Sequence, residues 1–239
     1  KSAQHVADVY ELARLAFAHA EDVPALDVIP LFEQLEDLEG CVGVLDQMLE
    51  LPAVQARLAQ TNRRMEVMLG YSDSSKDAGP TTATLALHAA QERIARWAEK
   101  NRIDLVLMHG RGGAVGRGGG PANRAVLAQP AGSVNCFFKV TEQGEIIFAR
   151  YGNQTLAQRH VESVAAATLL NSAPSIERTN TRMTEEFADM AERLNETAHE
   201  RYLDLLGTDD FAPWFSTVTP LTEVCLLPIG SRPTKRGLG

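Results

Sequence analysis

The sequence predicts a helix-rich α/β fold in which parallel strands alternate with helices. Short apolar runs recur along the chain, and longer stretches with helical periodicity separate them. A polar residue follows each of the first three predicted strands, and these residues are Glu33, Asp73 and His109. They are spaced by about one strand–helix unit, which indicates repeated βα units and therefore a parallel sheet.

The amino-terminal half contains most of the predicted strands. Its clearest element is the amphipathic helix Thr81–Asn101, which follows Gly79-Pro80 and repeats apolar residues at helical spacing. In chain order, the predicted elements are helix Val6–His19, strand Leu26–Phe32, helices Leu35–Leu51 and Val54–Thr61, strand Met65–Tyr71, helix Thr81–Asn101 and strand Ile103–His109.

The carboxyl-terminal half is predicted to be mostly helical. Two apolar runs, Cys136–Glu142 and Glu145–Arg150, flank Gln143-Gly144 and predict a β-hairpin. Helices are predicted over Asn153–Leu170 and Thr184–Gly207, joined by the polar segment Asn171–Thr181, and the last predicted strand is Val224–Ile229.

Composition limits the classes of protein to which the chain can belong. The chain has 239 residues, of which 44% are hydrophobic and 23% are charged, as in ordinary globular proteins. A net charge of −8 argues against nonspecific binding to nucleic acid or to acidic membranes. No apolar run is long enough for a membrane span, and Lys1–Val9 does not resemble a signal peptide. Three distant cysteines without metal-binding spacing predict a reducing, cytoplasmic location.

The most unusual segment is the glycine–arginine loop, HGRGGAVGRGGGP from His109 to Pro121. Seven of the eleven residues from Gly110 to Gly120 are glycine, and Arg111 and Arg117 lie among them. Glycine lets a backbone lie close to a ligand, and arginine donates hydrogen bonds to carboxylate or phosphate. A flexible linker is the alternative, but linkers seldom space arginines between apolar runs. The loop matches no nucleotide-binding motif, so we expect it to bind a small anionic substrate. We also expect residues Gly112–Gly119 to be mobile when no ligand is bound.

The residues that follow the strands predict a single site. Parallel strands joined by helices bring their carboxyl ends to one face, where Glu33, Asp73, His109 and the glycine–arginine loop would converge, and Arg232 could join them. Taken singly, Glu33 could be a surface acid or a first-turn residue, and Asp73 or Asp77 could be a turn or helix-capping residue.

Two carboxylates beside an anion site favour a hard divalent cation, Mg²⁺ or Mn²⁺. Lys76 could add another positive charge to this site, or it could be solvated at the tip of a loop. The spacing alone leaves both interpretations open.

Five motifs resemble the phosphoenolpyruvate carboxylase family. They are PLFEQLEDL (Pro30–Leu38), GYSDSSKDAG (Gly70–Gly79), HGRGGAVGRGGGP (His109–Pro121), VTEQGEII (Val140–Ile147) and GSRPTKR (Gly230–Arg236). Family members are several times longer. The resemblance therefore implies that residues 1–239 form a single domain, an internal portion of a (β/α)8 TIM-type barrel with extra helices.

The resemblance also implies a reaction. Bicarbonate attacks the phosphorus of phosphoenolpyruvate to give carboxyphosphate and the pyruvate enolate. Carboxyphosphate then breaks down to CO₂ and phosphate, and the enolate captures the CO₂ to form oxaloacetate. The ion, Mg²⁺ or Mn²⁺, would polarise substrate oxygens and stabilise the enolate. The resemblance further implies cytoplasmic homotetramers inhibited by aspartate or malate.

By motif match, each candidate residue receives a role in this reaction. Glu33 and Asp73 would bind the metal, and Arg111 and Arg232 would bind the phosphate. The remaining implied site residues are His109 and Lys76, near bicarbonate or CO₂, and Arg117, which is also linked to the inhibitory site.

Two alternatives to this enzyme remain at the level of sequence. One is a non-catalytic anion-binding or assembly module that retains the glycine–arginine loop, and the other is a phosphotransferase that acts on a related enol phosphate. The amino-terminal histidine motif of the family does not occur in this chain, so we expect that residues 1–239 alone do not make oxaloacetate.

Overall fold

The computed structural model describes residues 2–110, 122–141 and 144–226. Its centre is a four-stranded sheet in which every pair of neighbouring strands is parallel and the strand order follows the chain order, β1-β2-β3-β4. Helices connect the successive strands, as parallel neighbours require. The predicted α/β class with repeated βα units is therefore confirmed.

The amino-terminal half contains the longer strands and the helices that cover them. Its elements are α1 (Ala3–Ala16), β1 (Leu31–Phe32), α2 (Leu35–Leu49), α3 (Pro52–Gln60), β2 (Arg64–Gly70), α4 (Ser72–Ala78), α5 (Pro80–Asn101) and β3 (Asp104–Gly110). The predictions of β2, β3 and α5 are each correct to within one residue at both ends.

The described residues of the carboxyl-terminal half form helices and one short strand. Its elements are α6 (Ala122–Leu127), β4 (Lys139–Val140), α7 (Gly144–Tyr151), α8 (Gln154–Asn171), α9 (Pro174–Glu186), α10 (Ala188–Leu206), α11 (Phe211–Val218) and α12 (Leu221–Cys225). Within the described ranges, no helix combines the length and the apolar character that a membrane crossing would need.

The main core lies between one face of the sheet and the helices α2 and α5. Alternate residues of β2, such as Val67 and Leu69, are fully buried, as the period of two along a strand predicts. Leu38, Cys41 and Leu45 recur at helical spacing along α2 and are also fully buried. This packing fixes β1, β2 and β3 side by side, so that their carboxyl ends meet at one edge.

The predicted β-hairpin is wrong. Lys139 and Val140 pair in parallel with β3 rather than with a following strand, and Gly144–Tyr151 is the helix α7. A short apolar run is compatible with either a buried strand or a helix, so its periodicity could not decide between them.

Other elements also differ from the prediction: α1 is shifted by three residues toward the amino terminus, and the predicted helix Thr184–Gly207 is divided between the end of α9 and α10. Strand β1 contains only Leu31 and Phe32, because the preceding Pro30 has no N–H to donate to a strand partner. The polar segment Asn171–Thr181 is largely helix α9, which begins with Pro174 at its first position. Val224 and Cys225 belong to α12 rather than to a last strand, and residues 227–229 lie outside the described part of the chain.

Candidate functional site

The carboxyl ends of three neighbouring strands carry the candidate residues. Glu33 directly follows β1, Asp73 lies in the first turn of α4 just after β2, and His109 is the next-to-last residue of β3. The register pairs Phe32 with Leu69, and Leu69 with His109. The fold therefore brings these residues to the same edge of the sheet, as the sequence predicted.

Glu33 lies directly over the last residue of β2, Gly70. A Cβ atom added to Gly70 would overlap the Glu33 Cβ, would lie 2.8 Å from Oε2 and would lie 3.3 Å from the Glu33 Cα. The side chain of Glu33 therefore occupies space that exists only because Gly70 has no side chain. Glycine at this position lets the carboxylate approach the end of the neighbouring strand.

Asp73 and Lys76 lie on helix α4, in a segment for which the sequence predicted no helix. The ammonium of Lys76 donates to Asp73 Oδ1 at 2.9 Å across one turn of the helix. The side chains are 37% exposed for Asp73 and 67% exposed for Lys76, so solvent weakens this ion pair. Lys76 is thus close to the carboxylate of Asp73 rather than at the tip of a loop, and both side chains are accessible.

His109 is nearly enclosed. Its residue exposure is 2%, its ring stacks on Phe138 with a centroid separation of 4.6 Å, and its Nδ1 lies 2.8 Å from Tyr71 Oη in a hydrogen bond. Which atom donates depends on the tautomer of the imidazole. In either arrangement, Tyr71 and Phe138 fix the orientation of the ring.

Hydrogen bonds hold helix α4 in place near both of its ends. Ser74 Oγ donates to the carbonyl of Gly70 at 2.6 Å, and the hydroxyl of Tyr202, on α10, donates to the carbonyl of Lys76 at 2.8 Å. The ring of Tyr202 also packs on Gly79, whose φ of +81° and absent Cβ permit the contact. These contacts attach α4 to the sheet at one end and to α10 at the other.

Several predicted residues cannot be placed. Arg111, Arg117 and Arg232 lie outside the described residues, as does the loop Gly112–Gly119 that was expected to be mobile. Among the described residues, no group of three or more His, Cys, Asp or Glu side chains is arranged to bind a metal ion. A Mg²⁺ site that uses one or two carboxylates, with substrate oxygens and water, does not require such a group.

The sequence did not indicate the contacts of four residues that shape the site. Tyr71 and Asp77 lie inside the motif Gly70–Gly79, and Asp77 was interpreted as a turn or helix-capping residue. The sequence did not predict the hydrogen-bond partner of either residue. Phe138 was assigned only to a hairpin strand, and Tyr202 had no signal beyond its place in a predicted helix. The contacts of all four residues join segments that are far apart in the chain.

Comparisons with known proteins show the family to which the chain belongs. A model of the family "Phosphoenolpyruvate carboxylase" matches residues 1–239. Relatives with that name include a protein of Roseiflexus castenholzii, 44% identical over 212 residues, which are 88% of this chain and 22% of the relative. Another, from Mycobacterium leprae, is 40% identical over an alignment of 240 positions, which covers 98% of this chain and 26% of the relative.

The chain spans about a quarter of the length of the curated relatives that it matches. A further relative, from Azorhizobium caulinodans, is 40% identical over an alignment of 239 positions, which again covers 98% of this chain and 26% of the relative. The family model covers the whole chain, including all three strand ends that carry Glu33, Asp73 and His109. The chain therefore belongs to the phosphoenolpyruvate carboxylase family.

Proposed function

We propose that the protein of full family length that carries this segment carboxylates phosphoenolpyruvate with bicarbonate, giving oxaloacetate and phosphate. The main support is the placement of Glu33 and Asp73 after adjacent parallel strands, beside the buried His109, in a chain of this family. The carboxyl-end face of a parallel α/β sheet is where such folds build their active sites. In this proposal, the four described strands are part of a (β/α)8 barrel.

The carboxylates of Glu33 and Asp73 suit a divalent cation. Both present hard oxygen ligands, and the Asp73 carboxylate already accepts a hydrogen bond from the cationic ammonium of Lys76. When bound, Mg²⁺ or Mn²⁺ would polarise the substrate oxygens at this edge and favour the enolate. We assign Glu33 and Asp73 as the residues that hold it.

Lys76 and His109 are the described groups proposed to act on the carbon source. Lys76 is exposed and flexible enough to leave Asp73 and bind bicarbonate or the carboxylate of the substrate. His109 is held by Tyr71 and Phe138, so its ring can present one face or its Nε2 atom without reorientation. A fixed imidazole of this kind is suited to orienting a small neutral molecule such as CO₂.

The roles proposed for the three arginines rest on their sequence motifs alone. Arg111 and Arg232 are assigned to the phosphate of phosphoenolpyruvate, since guanidinium groups bind phosphate through paired hydrogen bonds. Arg117 is assigned to catalysis, with a link to inhibition by aspartate or malate. We further propose a cytoplasmic homotetramer. The location is supported by the three cysteines, all of them among the described residues and none in a disulfide.

The metal assignment is tested in the protein of full family length. Asp73→Asn should raise the Mn²⁺ concentration needed for half-maximal oxaloacetate formation by about tenfold or more, as loss of a ligand charge predicts. Asp104→Asn is the matched control, because Asp104 begins β3 at the opposite end of the same sheet. An unchanged Mn²⁺ requirement in Asp73→Asn would contradict the metal-binding role of Asp73, whereas a parent protein that forms no oxaloacetate at any Mn²⁺ concentration would favour a non-catalytic, anion-binding role.

A further inference from the structure

The strand-end site contains a long-range hydrogen bond that neither the motifs nor the proposed reaction assigns. Asp77 Oδ2 accepts the backbone N–H of Leu35 at 2.9 Å, although the two residues are separated by 42 positions in the chain. Leu35 is the first residue of α2, and its N–H is one of the amide groups that an α-helix leaves without an internal acceptor. The side chain of Asp77 therefore caps a helix other than its own.

The two ends of this hydrogen bond each lie close to a proposed metal ligand. Leu35 is two residues after Glu33, at the turn that joins β1 to α2. Asp77 is one helical turn after Asp73 on α4, so the two carboxylates share a rigid helix. A single contact thus connects the backbone segment of Glu33 to the helix of Asp73.

Other contacts also hold each of the two carboxylate-bearing segments. Gly70 provides the space that Glu33 occupies, and Tyr202 holds the carbonyl of Lys76 from α10. Helix α4 would therefore keep its place on α10 if Asp77 were replaced. The separation between the segments of Glu33 and Asp73 would lose a direct constraint.

We propose that Asp77 is a positioning residue that holds Glu33 and Asp73 at the separation needed for a divalent cation. The proposal rests on the metal site proposed above and extends it to a residue that does not touch the ion. Groups that orient metal ligands from outside the coordination shell commonly change metal affinity by about 10- to 100-fold when they are removed.

The charge of Asp77 could also attract a cation without any positioning role, and two substitutions separate these effects. Asp77→Asn removes the charge but keeps a carbonyl oxygen that can accept the Leu35 N–H, whereas Asp77→Ala removes both. Asp37→Ala is the matched control. Asp37 accepts the N–H of Gln34 at 3.4 Å within the start of α2, so its loss removes a nearby charge and a cap of α2 but keeps the Asp77–Leu35 hydrogen bond.

The experiment uses the protein of full family length and measures Mn²⁺ binding directly by the electron paramagnetic resonance signal of free Mn²⁺. Amide hydrogen exchange at Leu35 is measured in parallel. We expect Asp77→Ala to weaken Mn²⁺ binding by about tenfold and to speed Leu35 exchange, and Asp77→Asn and Asp37→Ala to stay within about threefold of the parent for Mn²⁺. Glu33→Gln and Asp73→Asn show how much Mn²⁺ binding weakens when a proposed metal ligand is removed.

Any other result would contradict the positioning role of Asp77 or the metal site itself. Equal weakening in Asp77→Asn and Asp77→Ala would overturn positioning in favour of a simple charge effect, and unchanged binding in Asp77→Ala would overturn it outright. If Glu33→Gln and Asp73→Asn bind Mn²⁺ as the parent does, the metal assignment itself fails and the positioning proposal fails with it. The benchmark variants thus distinguish the two failures.

Discussion

Tyr71 and His109 form a buried hydrogen bond between the ends of two adjacent strands. Tyr71 Oη and His109 Nδ1 are 2.8 Å apart, and the residues are 7% and 2% exposed. Because each polar atom is removed from water, the hydrogen bond is costly to break and restricts the ring of His109 to one orientation. The candidate histidine is therefore positioned by a residue on a different strand end.

The first prediction concerns this hydrogen bond. In the protein of full family length, Tyr71→Phe keeps the ring but removes the hydroxyl, and it should lower kcat by up to about tenfold. One hydrogen bond contributes about 0.5–1.5 kcal/mol, and about 1.4 kcal/mol corresponds to tenfold in rate. Steady-state rates of oxaloacetate formation across pH measure the effect, and the pH profile should change shape if His109 is the group affected.

The control for this prediction is Tyr10→Phe. The hydroxyl of Tyr10, on α1, also donates to a partner that is distant in the chain, the carbonyl of Leu26 at 3.3 Å, but it lies away from the strand ends. An equal loss of kcat in both variants, with identical pH profiles, would mean that Tyr71 contributes only to general stability.

The second prediction concerns the contact between Gly70 and Glu33. Gly70→Ala places a methyl group 2.8 Å from Glu33 Oε2 and 3.3 Å from its Cα, so Glu33 must move. We expect the Mn²⁺ concentration for half-maximal activity to rise by about tenfold, comparable to the loss of an orienting contact. Titration of activity with Mn²⁺ measures this change.

Gly43→Ala is the matched control for Gly70→Ala. Gly43 lies within α2 with nothing within 4 Å of the added methyl group, and alanine in a helix interior is favoured over glycine by about 0.5–1 kcal/mol. This variant should bind metal normally and be at least as stable as the parent. A normal Mn²⁺ requirement in Gly70→Ala would show that Glu33 has no role in metal binding.

The third prediction concerns pH and His88, which is half-buried on α5. Burial lowers the pKa of His88 below its ordinary value, and the carboxylate of Glu92 one turn later opposes this shift more weakly. The unfolded chain therefore takes up a proton more readily than the folded one. The stability associated with neutral His88 is fully present above about pH 6.5 and is lost as pH falls through the lowered folded-state pKa.

Substitution of His88 by glutamine, which does not titrate, should reduce the fall in melting temperature between about pH 7 and pH 5. Thermal unfolding of the protein of full family length at several pH values measures it, with the exposed His5→Gln on α1 as control. An unchanged pH dependence in His88→Gln would show that this histidine does not govern acid sensitivity.

The fourth prediction is that residues 1–239 expressed alone do not make oxaloacetate. Helices α8 to α12 expose large apolar side chains, including Leu169, Trp214 and Phe215, which is typical of surfaces covered by other parts of a protein. A coupled malate dehydrogenase assay with phosphoenolpyruvate, bicarbonate and Mg²⁺ compares this segment with the protein of full family length. Turnover of the segment within about tenfold of that protein, a barrier difference below roughly 1.4 kcal/mol, would contradict the prediction.

Local periodicity in the sequence predicted the elements that hold the site. Strands β2 and β3 and helix α5 combine long apolar patterns with clear boundaries, and their burial follows those patterns. Glu33, Asp73 and His109 could be predicted at one edge because parallel strands joined by helices have only one arrangement of their ends. Strand β4 lies within the predicted strand Cys136–Glu142, although its partner is β3. The short apolar runs at α7 and α12 were wrongly predicted as strands, because such runs fit a strand or a helix equally well.

Only the tertiary structure decided how the site residues are held. The hydrogen bond of Tyr71 to His109 spans 38 positions and that of Asp77 to Leu35 spans 42, and both depend on how strands and helices pack. The sequence alone determined which polar residues lie at the strand ends, because backbone pattern and strand direction set those positions. The partners of these residues depend on side-chain distances of about 3 Å, which arise only when distant segments pack together in the folded chain.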